Sequence, residues 1–189
     1  MRSLPLTVVA PGCDWEAQEA TKAVAVTTGT CYLRLDKSGA EDTGRPGEDF
    51  VLGKARVLRE GSDVALIATG GILGVVIAAA AELAENGVDA RVISMHTLKP
   101  LDTLAITSAA TETRGIVTVE EHTISGGLGS AVAETCLDAG TAPGFFARIA
   151  IPGGFSSIVG SQEYLRERHG IDKKAIVKTV MDRLRKSGG

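Results

Sequence analysis

From Val64 onward, short apolar runs alternate with stretches of helical composition, and this alternation constrains the chain more than any single motif. VALIAT is followed by the Ala-rich Ile72 to Glu85, then ARVISM (Ala90 to Met95), Leu101 to Thr111, GIVTV (Gly115 to Val119), Leu128 to Asp138 and FARIAI (Phe146 to Ile151). Strands separated by helices cannot pair as simple hairpins. Each helix crosses a sheet face and returns the chain to lay the next strand parallel to the last, so the pattern predicts an α/β fold with a mostly parallel sheet flanked by helices. The punctuation agrees. Asn86-Gly87 stops one helix, Pro100 leads the next with Asp102 near its start, and His169-Gly170 reads as a cationic last turn closed by glycine in the first of two short terminal helical segments. Ahead of this pattern, GKARVL and GSDVALIAT flank Arg59 to Asp63, which predicts a β-hairpin. The unit that begins at Gly53 has about 130 residues, enough to bury a core of its own.

The residues before it form a smaller unit. LTVVA (Leu6 to Ala10) reads as a strand ended by Pro11-Gly12. A helix over Trp15 to Val26 is expected to be capped by Asp14 and closed by Gly29, and CYLRL (Cys31 to Leu35) reads as a second strand. Asp36 to Asp49 is rich in Gly, Asp and Glu, holds Pro46, and reads as a linker or long surface loop. Two apolar strands and one helix cannot build a core alone. Their sheet needs neighbours, so either a partner chain completes it or the sequence is part of a longer one.

Charge and cysteine content narrow the function classes. Among 189 residues, 20 Lys and Arg face 23 Asp and Glu, a net charge of −3, with no basic run or basic-aromatic stripe to follow a phosphate backbone. Nucleic-acid binding is not expected. Gly, Asp or Glu interrupts every apolar stretch before it could span a bilayer, and the N-terminus lacks a signal-peptide layout, so a cytoplasmic chain without membrane contact is expected. Cys13, Cys31 and Cys136 are odd in number and widely spaced, which predicts buried or half-buried thiols and neither a disulfide frame nor a zinc site.

Several positions could carry chemistry. Thr69-Gly70-Gly71 follows a strand and precedes a helix, where backbone amides can cradle phosphate or a nucleotide, although GGILG lacks the full dinucleotide fingerprint and a Gly pair there also makes a tight turn. Glu120, Glu121 and His122 end another strand. Two carboxylates and an imidazole suit acid–base work or a metal, but neighbours on an extended chain point to opposite faces, and solvated or interface charges are the alternative. His96, also at a strand end, reads as a hydrogen-bonding turn residue. Arg34 sits inside an apolar strand run, where a charge is costly unless it meets a partner or an anion, the alternative being that alternation turns it to solvent.

Taken together, MRSLPLTVVAPGCDWEAQEA, CYLRL, GKARVLREGSDVALIATG, ARVISMHTLKPLD, GIVTVEEHTISGGLGSAVAE and IDKKAIVKTVMDRL, in that order from Met1 to about Leu184, resemble the carboxyl-terminal part of transketolase. Relatives of the same architecture are 1-deoxyxylulose-5-phosphate synthase and the beta subunits of oxo-acid dehydrogenases. The wording MHTLKPLD followed by VEEH is nearer to transketolase-type chains, including split-subunit forms. The resemblance implies residues 1–43 as the terminal strand-helix-strand of an incomplete pyrimidine-binding domain, 44–52 as a linker and 53–189 as a complete carboxyl-terminal domain.

It further implies a split enzyme that moves a two-carbon ketol unit between sugar phosphates, using thiamine diphosphate with a divalent metal. Complementary chains would supply the diphosphate domain and the rest of the pyrimidine domain, with homo-oligomer contacts besides. This chain alone would bind neither cofactor nor metal, would hold no catalytic residue and would be inactive. Arg34 matches the family's strand-end arginine for the substrate phosphate, a role that suits a fixed bidentate cation. Glu120, Glu121, His122, Gly126 and Gly127 match a segment that is structural or at subunit contacts. The sequence departs from the family at IPGGFSSIVG (Ile151 to Gly160), which lacks the acidic residue usual before its Phe and Gly. The alternative is a non-catalytic oligomerisation or docking module related to the synthase or the beta subunits.

Overall fold

The computed structural model describes residues 3–37, 41–154 and 157–187. In chain order the elements are β1 (Thr7–Val9), α1 (Asp14–Val26), β2 (Cys31–Leu33), β3 (Arg56–Arg59), β4 (Val64–Thr69), a 3-10 turn (Gly70–Ile72), α2 (Leu73–Glu85), β5 (Ala90–Ser94), β6 (Thr97–Lys99), α3 (Thr103–Glu112), β7 (Ile116–Thr123), α4 (Leu128–Asp138), β8 (Phe146–Ile151), α5 (Gln162–His169) and α6 (Lys173–Ser187). The expected α/β fold is present. Phe155 and Ser156, where the sequence departs from the family pattern, lie outside the described residues.

The main sheet has the order β3-β5-β4-β7-β8. β4 pairs in parallel with β5 and β7, and β7 with β8, while β3 runs antiparallel to β5 at the edge. Alternation along β4 explains the two cores. Val64, Leu66 and Ala68 face a cluster with Leu73, Val76 and Leu83 of α2 and with Ile176 and Val180 of α6. Ala65 and Ile67 face the other side, against Ile106 and Ala109 of α3 and Leu128 and Val132 of α4.

The expected hairpin at Arg59 to Asp63 does not form, because β5 lies between β3 and β4. β4 is apolar on both faces and fully buried, so it belongs at the centre of a sheet, whereas β3 carries an arginine at each end and suits an edge. The connecting turn passes over the head of β5. The Ser62 and Asp63 amides donate to the Asp89 carboxylate at 3.0 Å and to its carbonyl at 2.9 Å. A Cβ on Gly61 would lie 2.4 Å from the Ala90 carbonyl carbon, so the crossing needs glycine.

The smaller sheet has the order β2-β1-β6. β1 and β2 are parallel around α1, as strand-helix-strand predicts. The third strand, β6, which the sequence pattern did not predict, belongs to the larger unit and pairs antiparallel with β1. The helix cap is also reassigned. Cys13, not Asp14, precedes the first turn of α1, and its Sγ accepts from the Glu16 amide at 3.5 Å. α6, expected to be short, runs for 15 residues.

A buried ion pair fastens the two units. Glu16 of α1 is 0% exposed and Arg56 of β3 is 5% exposed. Arg56 donates to Glu16 Oε1 at 2.7 Å, to Glu48 through two bonds of 2.8 and 2.7 Å, and to the hydroxyl and carbonyl of Thr43 at 2.9 and 2.8 Å, with its guanidinium 4.4 Å from the Trp15 ring centre. Burial disfavours the Arg56 charge, but hydrogen bonds to Glu48 and Glu16 outweigh it and hold the group above its ordinary value. The polar stretch from Thr43 to Glu48 is therefore structural, since it completes the shell around a charge that links β3 to α1.

Candidate functional site

In an open α/β sheet, ligands meet the carboxyl ends of the strands where the strand order reverses, because helices there leave to opposite faces and open a crevice. That point here lies between β4 and β7. From β4 the chain leaves through α2 over one face to reach β5, and from β5 it returns through α3 over the other face to reach β7. The last residue of β4, Thr69, is in register with Glu120. A cavity of about 180 Å³ opens at this place, lined by Thr69, Glu120 and His122 from the large sheet and by Ala10, Tyr32 and Arg34 from the small one.

Arg34 directly follows β2, and its amide donates to Val9 O at 2.8 Å, which fixes the backbone beside β1. Its side chain is half-buried and lines the cavity, so strand alternation does not simply turn it to solvent. Among the described residues no hydrogen bond or ion pair holds its guanidinium. Gly70 lies beneath it: the backbone there has φ of +75°, and a Cβ would come 3.2 Å from Arg34 Nη1. An unengaged, partly desolvated guanidinium in a concave site is a receptor for a carboxylate, phosphate or sulfonate group.

The Glu-Glu-His segment divides as strand geometry requires. Glu120 is 1% exposed and accepts from the Leu128 and Gly129 amides at 2.7 and 2.8 Å, so it occupies the N-terminus of α4 and is not a solvated charge. Glu121 is paired with Arg166 of α5 at 2.8 Å, and Arg166 also reaches Gly71 O at 3.3 Å. His122 is exposed, with Nδ1 2.9 Å from Thr123 O and 3.9 Å from Glu120 Oε2. Among the described residues no three or more His, Cys, Asp or Glu side chains form a metal-ligating group. Sequence reasoning missed Glu120 as a helix cap, although a glutamate at a strand end followed by Gly126-Gly127 before a helix was the available signal. A Cβ on Gly127 would lie within 2.0 Å of Glu120 Oε2, so glycine is what lets the carboxylate approach.

His96 is 0% exposed, stacks on Phe50 with ring centres 4.2 Å apart, and bonds Thr97 Oγ1 through Nδ1 at 2.9 Å. Burial, chiefly, holds its pKa below the ordinary histidine value. Its hydrogen bond to Thr97 is of the kind expected, but the residue is buried at the junction of the two units rather than placed in a turn.

The glycine pair Gly70-Gly71 does not form an open phosphate cradle. The Gly71 amide already donates to Asp36 Oδ2 at 2.9 Å, and the Gly70 amide to Ala10 O at 3.0 Å. The diphosphate that the family resemblance implies fits neither glycine-led helix start of this chain, since Asp36 occupies one and Glu120 the other. A second anion there would meet a carboxylate of like charge. No helix among the described residues is long and apolar enough to cross a membrane.

Comparison with known proteins identifies the family. A family model described as the transketolase C-terminal domain matches residues 53–176. The 6-deoxy-6-sulfo-D-fructose transketolase subunit SqwH of Clostridium sp. (strain MSTE9) is 37% identical over 181 residues, which cover 95% of this chain and 55% of that protein. The 1-deoxy-D-xylulose-5-phosphate synthase of Thermomicrobium roseum is 38% identical over 185 residues, 96% of this chain and 29% of that protein. A solved structure titled split gene transketolase, inactive beta4 tetramer, superposes with a TM-score of 0.89 at 33% identity, covering 97% of this chain and 60% of that one. The chain thus spans about half the length of the split-subunit relative and less than a third of the synthase. On its sequence, its strand order and its match to the family model, the chain belongs to the transketolase C-terminal domain family.

Proposed function

We propose that this chain is the carboxyl-terminal portion of a split transketolase-type enzyme, in which partner domains complete the small sheet and hold thiamine diphosphate with its metal. The assembly transfers a two-carbon ketol unit between sugar phosphates, the bound thiamine supplying the carbanion chemistry. Residues 1–43 are the end of the pyrimidine-binding domain, 44–52 the linker and 53–189 the carboxyl-terminal domain. The observation that carries this reading is Arg34, an unengaged guanidinium in the cavity at the switch point, in a chain related over nearly its whole length to transketolase subunits. Its role is to fix the anionic end of the sugar, which positions the reacting carbon and adds binding energy far from the chemistry.

Among the described residues no strand pairs with the outer edge of β2, which supports the need for a partner. Its half-buried, apolar-flanked strand ends the small sheet, with Tyr32, Leu35 and Val26 exposed nearby. The relative solved as a beta4 tetramer supports homo-oligomer contacts as well. Three cysteines, none in a disulfide, suit a cytoplasmic enzyme.

The test is reconstitution. With a chain supplying the missing domains, Arg34→Ala should raise KM for the aldose phosphate by roughly 10- to 100-fold, a loss on the scale of one charge-assisted contact, with a smaller change for the dephosphorylated aldose. Unchanged KM for the phosphate would favour the alternative, a docking module without a substrate role. The synthase relative favours a second chemistry on the same scaffold, in which an oxo-acid donor is decarboxylated and the remaining two-carbon acyl unit, in place of a ketol unit, is transferred to the aldose phosphate. Release of carbon dioxide by the reconstituted assembly would identify it.

A further inference from the structure

The cavity at the switch point has two walls, and the sequence assigned a ligand to one of them. Arg34 and Tyr32 come from the small sheet; His122 comes from the end of β7, in a segment otherwise read as structural. At about 180 Å³ the cavity is smaller than the roughly 300–1,000 Å³ of pockets that enclose a whole ligand, so it takes the end of a substrate. Its charges are largely accounted for. Glu121 is neutralised by Arg166, and Glu120 is engaged by two helix amides, leaving Arg34 as the cation without a partner of its own among the described residues.

His122 has a defined hydrogen-bonding state. Its Nδ1 lies 2.9 Å from Thr123 O, and a carbonyl only accepts, so Nδ1 carries the proton. In the neutral ring Nε2 then bears a lone pair, and among the described residues nothing donates to it. An acceptor and a free guanidinium on the lining of one small cavity match a ligand that carries a hydroxyl near an anion.

We propose that His122 is a specificity-determining residue of this subsite: Arg34 takes the anionic terminus, and His122 Nε2 accepts the hydroxyl on the carbon next to the one that bears it. The proposal rests on the Arg34 reading above and extends it to a residue of the carboxyl-terminal domain. The subsite is then built across the junction of the two sheets and exists only while they are held together.

Two stable esters test it without turnover. Glycerol 1-phosphate has the neighbouring hydroxyl and a terminal one, and 1-propyl phosphate is the same chain with neither; 3-hydroxypropyl phosphate, which keeps only the terminal hydroxyl, serves as the control and should bind like propyl phosphate. Titrated into the whole chain and followed by calorimetry and by the His122 ring nitrogens in NMR, glycerol 1-phosphate should bind roughly 5- to 10-fold more tightly, as expected for one hydrogen bond at a partly exposed site. It should move the Nε2 resonance, whereas propyl phosphate should not. His122→Ala should abolish the preference and leave propyl phosphate binding unchanged. His122→Gln, which keeps an acceptor, should retain part of it. Arg34→Ala should weaken both esters alike. Equal affinity of the wild type for the two esters, or a preference that survives His122→Ala, overturns the role of His122 while leaving Arg34 standing. Failure of the wild type to bind either ester, or binding unaffected by Arg34→Ala, overturns both readings.

Discussion

Replacing Arg56 by methionine should loosen the junction between the two units more than any surface change. The substitution keeps much of the apolar stem and removes the guanidinium. Glu16 then remains fully buried with the Gly12 amide, 2.7 Å from Oε2, as its hydrogen-bond donor. Breaking a buried pair by deleting one partner costs about 3–5 kcal/mol, because the surviving charge cannot return to water. The lost contact with the Trp15 ring adds about 0.5–1 kcal/mol. Glu48 adds less than about 1 kcal/mol, since its side chain is 20% exposed and can rehydrate. The sum, about 4–6 kcal/mol, is a large share of the roughly 5–15 kcal/mol typical of a folded domain. With a urea dependence of about 2 kcal/mol per molar, the midpoint should fall by roughly 2–3 M.

Trp15, the single tryptophan, sits against the guanidinium, so its fluorescence reports the junction while far-UV circular dichroism reports the whole fold. In Arg56→Met the fluorescence transition should precede the dichroism transition. Adding Glu16→Gln should restore about 2 kcal/mol or more, because it removes the stranded charge and keeps an acceptor for the Gly12 amide. A loss below about 1 kcal/mol in the single variant, or no recovery in the double, would refute the claim that charge burial, and not packing alone, holds the units together.

Three further outcomes follow from the same contacts. His96 is held below its ordinary value in the folded chain, so between that lowered value and about 6.5 the unfolded chain binds the extra proton. Stability should be full above a pH of about 6.5 and fall as the pH drops through this window. His96→Phe, which keeps a ring against Phe50, should lose that slope in urea melts at a pH of about 7.5 and about 5.5, and an unchanged slope would assign it elsewhere. Gly127→Ala forces a Cβ into the Glu120 carboxylate, and overpacking together with displaced helix-cap bonds should cost about 2–4 kcal/mol in thermal melts. A variant as stable as the parent would show that Glu120 has room to move. Glu121→Ala leaves Arg166, 8% exposed, without its carboxylate. The loss of about 3 kcal/mol should appear as faster amide exchange across α5, and exchange unaltered there would mean that packing alone seats the helix.

What the sequence determined by itself is local. The apolar runs and the Ala-rich stretches between them are short-range patterns, and they placed β4 to β8 and α2 to α4 with little error, apart from β6. Glycine, proline and aspartate marked most of the ends, because caps and turns act within a few residues. Arg34 was legible as a charge in an apolar run whose proposed role came from the family it resembles.

Tertiary structure decided the choice of partner, which no local pattern encodes. β3 left the expected hairpin for β5 because β4 is apolar on both faces and must be central. Thr97 to Lys99 became a strand because β1 offered an unpaired edge. The backbone groups of a strand must pair with something, and what lies nearby is set by how helices and sheets pack, often across tens of residues. Charge obeyed the same rule. Glu16 and Arg56 are 40 residues apart in sequence and meet in a space where neither could be buried alone, and Glu120, ordinary by composition, occupies a helix start eight residues on. Only the packing of the two sheets brings Arg34 and His122 to one cavity, because each lies at the end of a different strand and a subsite between them requires both strands to be in place.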